Sequence, residues 1–479
     1  WENARQKILK NTIQSMKTIL LPLYNGMRAR SILRTDTYRE LIKDPNIRLV
    51  IGIPSVKLNY YKKEFGAPNV IFESLDITEE PLSGQRLATY AFNLLNTTSV
   101  RSKQEVFYFR YGNYPKFLLK RLLNRTLGPF AFMRSFIRFL DGFVPLNQEV
   151  ADFINKYKPD LVIVPDIVFP PDRIFVRAAK RFGYCVVGMV RSWDNLTSKG
   201  IIQTLPDKLV VHTANMKKEA VKYADMPAEK IVVTGPPQFD DYYKPLSWSK
   251  EELFKKLNIP QGKRLALCSP FLDKYTESAV KIVNSLTEAI DAGTLPKDLH
   301  ILLRYRTSTP EIKKEVLKQS DHLSMSPNFE LFFPVVVDGV PGQDWEFTYA
   351  DIELLKHILA YSDVVINVDS TLSVDAATFD KPVIDVRFDA VKNCPPKHSI
   401  ELLTPHFYHY RQVEASGGVR LVKNMEELIK AINDYLENPK LDAVGRGRLR
   451  REQLEFFDGN SGKRVADFIK QTLYFVGAK

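Results

Sequence analysis

Cysteine is scarce in this chain, with Cys185, Cys268 and Cys394 the only three among 479 residues. An odd, scattered set supports no disulfide framework and no zinc-type spacing. These read as buried or incidental thiols of a reducing compartment. Long apolar runs are missing too, since no stretch approaches the roughly 18–20 residues that a helix needs to span a bilayer. There is no internal repeat and no low-complexity tract. Zinc-finger spacing, an aromatic RNP-like strand and a helix-turn-helix signature are all lacking, so nucleic acid is not the expected partner. Histidine is confined to the later part of the chain: all seven lie from His212 onward. The first residue is Trp1 and not Met, so a removed anchor or signal ahead of it is left open.

What is present is an ordinary globular composition, 44% hydrophobic and 26% charged, in a chain too long for one core. Two domains are expected. The net charge of +12 asks for an anionic partner, and a phosphorylated substrate or an anionic membrane would both fit. Strands are expected at Thr18–Leu23, Leu49–Ile53, Leu161–Val164, Val186–Val190, Lys208–His212 and Ile231–Thr234. A second series is expected at Ala266–Ser269, His300–Arg304, Leu331–Phe333, Val364–Asn367, Val383–Val386 and Val419–Leu421. Helical patterns such as Pro170–Phe182, Met216–Ala224, Ser278–Ala292 and Met425–Leu436 lie between them. Such alternation predicts parallel sheets covered by helices. The break falls near Asp240–Trp248, so residues 1–244 and 245–455 are read as two domains with a cleft between strand C-termini.

The richest segment is Ser362–Asp385. A buried strand, Val364-Val365-Ile366, is followed by Asn367, Asp369, Ser370, Thr371 and Ser373, then a small-residue helix carrying Asp375, then a second strand. That layout offers backbone N–H groups and hydroxyls to a phosphate, and a carboxylate to sugar hydroxyls. Asp369 also suits a helix cap. A nucleotide diphosphate fits this arrangement.

A second segment, Ile231–Asp240 (IVVTGPPQFD), ends a strand in Thr234-Gly235 before two prolines force an extended exit. Together with Asp369–Asp375 it resembles GT-B-fold enzymes. It is similar to the UDP-N-acetylglucosamine 2-epimerases and the CDP-glycerol glycerophosphotransferases of bacterial surface-polysaccharide synthesis. The ending Phe457-Asp458-Gly459-Asn460 with Arg464-Val465-Ala466 resembles their final crossover helix. The resemblance covers about 161–240 and 265–469. It implies an α/β fold of two Rossmann-like domains facing a central cleft, with residues 456–479 crossing back to the first domain. It further implies that Ser370 and Thr371 donate to the distal phosphate and that Asp375 binds ribose, with Asp369 and Gly235 in the same donor set. Thr371 and Leu372 stand where the epimerases have two glycines, and Asp375-Ala376 where they have two glutamates, which counts against epimerase activity.

Other candidates are read from position. Arg304 and Arg306, at or just past a strand end, would share one face and suit a diphosphate leaving group. Ser269-Pro270-Phe271 follows the first strand of the second series and is placed in the nucleotide pocket. Three strand-end loops of the first domain form the expected acceptor side: Gly26, Arg28 and Arg30; Asp166; and Trp193, Asp194, Asn195 and Lys199. Because the histidines lie at or after the end of that domain, His212 being the first, a general base local to it would have to be a carboxylate, Asp194 or Asp166. His398, beside Lys397, is a candidate acid on the leaving phosphate, though a surface histidine is the plainer reading. Asp363-Val364-Val365 reads as strand, so no metal-binding aspartate pair is evident, which fits metal-independent GT-B chemistry.

Residues 107–140 differ from the rest. Seven cations (Arg110, Lys116, Lys120, Arg121, Arg125, Arg134, Arg138) are interleaved with Phe, Tyr and Leu, and no acid occurs before Asp141. Two readings are open: helices packing one face inward, or an element resting on anionic lipid. The leading expectation is a glycosyltransferase at the cytoplasmic face of a membrane. It would move a sugar from a nucleotide-diphosphate donor, UDP favoured, to a lipid-linked or saccharide acceptor, without a cofactor. The rivals are a CDP-glycerol glycerophosphotransferase, a sugar-nucleotide epimerase and a non-catalytic sugar-nucleotide or polysaccharide binder.

Overall fold

Runs such as Leu161-Val162-Ile163-Val164 are apolar on both faces, as strands covered by helices on each side must be. The computed structural model describes residues 16–77, 80–269, 276–305, 320–327, 331–337 and 340–476. Its first seven strands are β1 (Lys17–Pro22), β2 (Ile47–Ile53), β3 (Val70–Ser74), β4 (Leu161–Val164), β5 (Val186–Met189), β6 (Lys208–Val211) and β7 (Ile231–Val233). They form one sheet in the order β3-β2-β1-β4-β5-β6-β7. Each adjacent pair is parallel.

Later strands are β8 (Arg264–Ser269), β9 (Leu299–Tyr305), β10 (Leu323–Pro327), β11 (Leu331–Val337), β12 (Val340–Glu346), β13 (Val364–Asn367), β14 (Val383–Val386) and β15 (Arg420–Val422). Six of them make a second parallel sheet, β10-β9-β8-β13-β14-β15. The expected strand at Leu331–Phe333 is corrected: it belongs to β11, which pairs antiparallel with β12 outside that sheet. In the sequence the two are joined by Asp338-Gly339, a dipeptide that favours a two-residue hairpin turn. The edge place goes to the more polar β10.

In each sheet the chain reverses direction of travel once, between β1 and β4 and between β8 and β13. Open α/β sheets bind ligands outside the strand C-termini at such a switch point. The expected loops after β1, β4 and β13 emerge there.

The helix Ser461–Val476 returns to the first sheet's side. Val465, Ala466, Ile469 and Leu473 are buried in one cluster with Ile19, Leu21 and Leu33. Asp240 accepts from the Ser461 and Gly462 N–H groups at 3.0 and 2.7 Å, filling donors that a helix start leaves unpaired. The hairpin binds the first domain as well. Lys57, fully buried, donates to Glu346 at 2.7 Å and also meets Asp344, and Tyr61 shares Glu346. Gly26 passes so close to Trp345 that a Cβ would overlap its carbonyl oxygen. Both domains are therefore braced twice.

Between β3 and β4 the chain builds helices Leu82–Leu94, Thr98–Phe107, Tyr114–Thr126 and Ala131–Asp141, which share a small core of Leu87, Leu94, Val100 and Ile137. The basic-aromatic segment is the later part of this unit. Among the described residues, no helix is long and apolar enough to cross a membrane.

Candidate functional site

The turn after β13 is shaped by its own side chains. Asp369 takes a left-handed backbone, φ 43°, and its N–H donates to Asp385 at 2.6 Å. Asn367 and Ser373 hydrogen-bond each other at 3.0 Å, and Ser373 meets the Tyr410 hydroxyl at 2.9 Å. Ser370 Oγ accepts from the Leu372 N–H at 3.2 Å, so this hydroxyl braces the turn. Thr371 is exposed, at the head of helix Leu372–Thr378. One turn on, Asp375 is buried and accepts from the Tyr242 hydroxyl at 2.6 Å. Burial pushes its carboxyl above the usual range, while Arg30, Tyr242 and Arg304 pull the other way.

On the opposite side, Asn25 caps a helix, Gly26–Ile32, where the sequence suggested a loop. Residues two apart on a helix point in nearly opposite directions. Arg28 accordingly turns inward and ion-pairs with Asp172, both buried. Burial alone would make the Arg28 guanidinium easier to deprotonate, but Asp172 and Asp166 more than reverse this. Arg30 turns to the cleft, its guanidinium 4.2 Å from the Phe347 ring centroid. After β4, Asp166 is fully buried and accepts from Arg191 at 2.8 Å and Asn195 at 3.0 Å. After β5, Asp194 is held by Ser192 at 2.7 Å, Ser198 at 3.1 Å and Lys199 at 3.1 Å. Burial opposes its charge, but Lys199 and His409 hold the carboxyl well below the usual range.

These two lips enclose a cleft of about 680 Å³, counting its open mouth. Arg30, Arg191, Trp193 and His212 line it from the first domain, Thr371 and Asp375 from the second, and Gln238 and Phe239 from the link. Trp193 packs edge-on against His409 and Tyr410 of the second domain, at 5.1 and 6.0 Å between centroids.

His212 overturns one expectation. It stands directly after β6, inside the first domain, so an imidazole is available there as a proton acceptor. Its pKa is lowered to about 4 by burial and by Arg191, which keeps it neutral at physiological pH. Neither Asp166 nor Asp194 lines the cleft, because both are spent on neighbouring side chains. The sequence puts His212 at the end of the expected strand Lys208–His212, but assigning it to the domain boundary hides it.

The remaining candidates are dispersed. Arg304 is buried near the Asp375–Tyr242 pair, and burial brings its pKa to about 10, still protonated at neutral pH. Arg306, Pro270 and Phe271 lie outside the described residues. Ser269 ends β8, in register with Asn367. Gly235 takes φ 80° and abuts Ser461, so that a Cβ would overlap the serine hydroxyl; it faces the crossover helix, and its neighbour Pro236 faces the cleft. His398 sits half-buried in a short turn, Pro396–His398, away from the cleft lining. Among the described residues, no three His, Cys, Asp or Glu side chains are grouped as a metal would require.

No protein-family model and no curated protein sequence matches this chain. Among solved structures it is similar to S. aureus MnaA determined with UDP, with a TM-score of 0.57 and 12% identity, over 96% of this chain and 97% of that one. It is similar to the UDP-GlcNAc 2-epimerase of Neisseria meningitidis bound to UDP-GlcNAc, with a TM-score of 0.53 and 12% identity, over 95% and 100% of the two chains. A glycosyltransferase of Rickettsia africae gives a TM-score of 0.50 and 12% identity, over 96% and 98%. The likeness shows the fold: this chain has the GT-B-like architecture of sugar-nucleotide epimerases and glycosyltransferases.

Proposed function

We propose that this protein is a glycosyltransferase that takes a sugar from a nucleotide-diphosphate donor, UDP favoured, and passes it to a lipid-linked or saccharide acceptor. The observation that carries the reading is the cleft at two facing switch points, with Thr371 and Asp375 on one lip and Arg30, Arg191 and His212 on the other. Asp375 binds the ribose hydroxyls. Thr371, Ser370 and the turn's N–H groups receive the distal phosphate, and Arg30 and Arg304 offset the charge of the departing diphosphate. Trp193 gives the acceptor a flat apolar surface, and His212 takes the acceptor's proton as the new bond forms. UDP is favoured because the similar structures of S. aureus and Neisseria meningitidis hold UDP and UDP-GlcNAc.

A second reading, a sugar-nucleotide epimerase, is favoured by the Neisseria meningitidis likeness. Thr371, Leu372 and Asp375-Ala376 stand against it, where the resembled epimerases carry glycines and glutamates. Incubation with UDP-sugars, followed by proton NMR, separates the two. A transferase releases UDP in step with acceptor glycosylated, whereas an epimerase changes the sugar's ring couplings with no acceptor present. Neither signal from any donor would sink both and leave a binding protein.

A further inference from the structure

Helices at a protein surface normally turn one apolar stripe inward. The helix Ala131–Asp141 carries two. Ile137 is buried, and Met133 and Leu140 pack beside it in the helical unit's core. Phe132, Phe136 and Phe139, four and three residues apart, form the other stripe, with Phe143 just past the helix end, and all face solvent. Phe132 and Phe139 are each 61% exposed and Phe143 is 70% exposed. The rotation is fixed by the polar groups between the stripes: Arg134 and Arg138 both pair with Asp225, at 2.5 and 2.8 Å. The helix therefore cannot roll to hide its phenylalanines without breaking these pairs. The neighbouring helix Tyr114–Thr126 repeats the pattern, with Leu118 64% and Leu122 60% exposed at i and i+4.

We infer that this double stripe is a membrane-seating face for an anionic bilayer. Phenylalanines and leucines gain by burying their apolar side chains at the headgroup–acyl boundary, and short helices lying flat need no span. Charge selects the occupant. Residues 107–140 hold seven cations and no acid. Arg134 and Arg138 are spent on Asp225, but Lys116 and Arg125 are exposed and make no ion pair among the described residues. Anionic lipid would attract such cations. A second copy docking through the same face would set like charges against each other, because a two-fold interface presents the same patch from both sides. The seat is also tied to the cleft. Thr97 donates to the Thr197 carbonyl at 2.6 Å and Lys103 to that of Ser198 at 3.0 Å, linking the helical unit to the Asp194 loop. A lipid-linked acceptor would thus meet the acceptor lip where the protein meets the bilayer, although the membrane face itself stands whether or not the transferase reading does.

The test is co-sedimentation of the full chain with vesicles of equal parts phosphatidylglycerol and phosphatidylcholine, against pure phosphatidylcholine, at low and high salt. The expected result is binding to the anionic vesicles that weakens with salt. It should fall at least about tenfold in the triple variant Phe132→Ser/Phe136→Ser/Phe139→Ser and by a similar factor in Lys116→Gln/Arg125→Gln, the latter with less salt dependence. Both sets are exposed, so the melting temperature should stay unchanged. Failure of the wild-type chain to bind anionic vesicles would overturn the inference. So would binding that ignores the phenylalanine substitutions, or a dimer in solution that the triple variant dissolves.

Discussion

The two lips of the cleft use polar residues in opposite ways. On the first domain's lip, Arg28 pairs with Asp172, Asp166 holds Arg191 and Asn195, and Asp194 is ringed by Ser192, Ser198 and Lys199. On the second domain's lip, Thr371 is exposed, and Asp375 lines the cleft while sharing one oxygen with Tyr242. A cluster of charged side chains at strand ends can thus be a frame, mutually satisfied and rigid, with a few residues such as Arg30, Trp193 and His212 presented from it. Polarity alone does not separate frame from contact. Partnering does.

The largest expected effect tests that division through stability. Arg28→Ala leaves Asp172 buried without its cation and should cost about 3–5 kcal/mol of unfolding free energy. Thr371→Ala, on an exposed residue, should stay within about 0.5 kcal/mol. Similar denaturation midpoints for the two would break the comparison. Next comes turnover: His212→Gln should lower kcat by about 100-fold or more, the scale of a lost general base. Asp194→Asn should lose less, because that carboxylate is held ionised by its neighbours and accepts protons poorly. The pH profile carries the sign. Protonated below about 4, His212 cannot accept a proton, so kcat/KM should rise through that pH and then level off, and the Gln variant should lack this acid limb. A loss in His212→Gln no greater than that of Asp194→Asn would return the base to the carboxylate. The smallest effect is expected for Ser370→Ala, which removes one turn-bracing acceptor. A cost of about 1 kcal/mol in stability is expected, measured by urea unfolding, with phosphate contacts supplied by the turn's N–H groups largely kept.

Local patterns made much of this fold legible. The strand–turn–helix–strand unit of Ser362–Asp385 is written in consecutive residues, and β13 and β14 span the expected Val364–Asn367 and Val383–Val386. The parallel order follows from helices alternating with strands. Harder to see were elements whose partners are remote. β3 is a short edge strand whose apolar run, Val70-Ile71-Phe72, is only three residues long, and β12 carries Asp344 and Glu346, which are committed to Lys57, nearly three hundred residues earlier. Arg28 and Arg30 look equivalent in sequence; only the helix started by Asn25 turns one inward and the other to the cleft. The phenylalanines of Ala131–Asp141 posed the same difficulty, since two apolar stripes on one helix do not say which is buried.

The central claim is that the cleft holds a nucleotide diphosphate through its second-domain lip. Thermal unfolding of the wild-type chain and of Asp375→Ala, each with UDP, CDP, GDP and their common sugar conjugates, tests it most directly. At 100 times Kd a ligand selective for the folded state adds roughly 2.7 kcal/mol, a visible rise in Tm. The account predicts such a rise for one nucleotide family, UDP foremost, and its loss in Asp375→Ala. No rise with any nucleotide, or an equal rise in the variant, would contradict it.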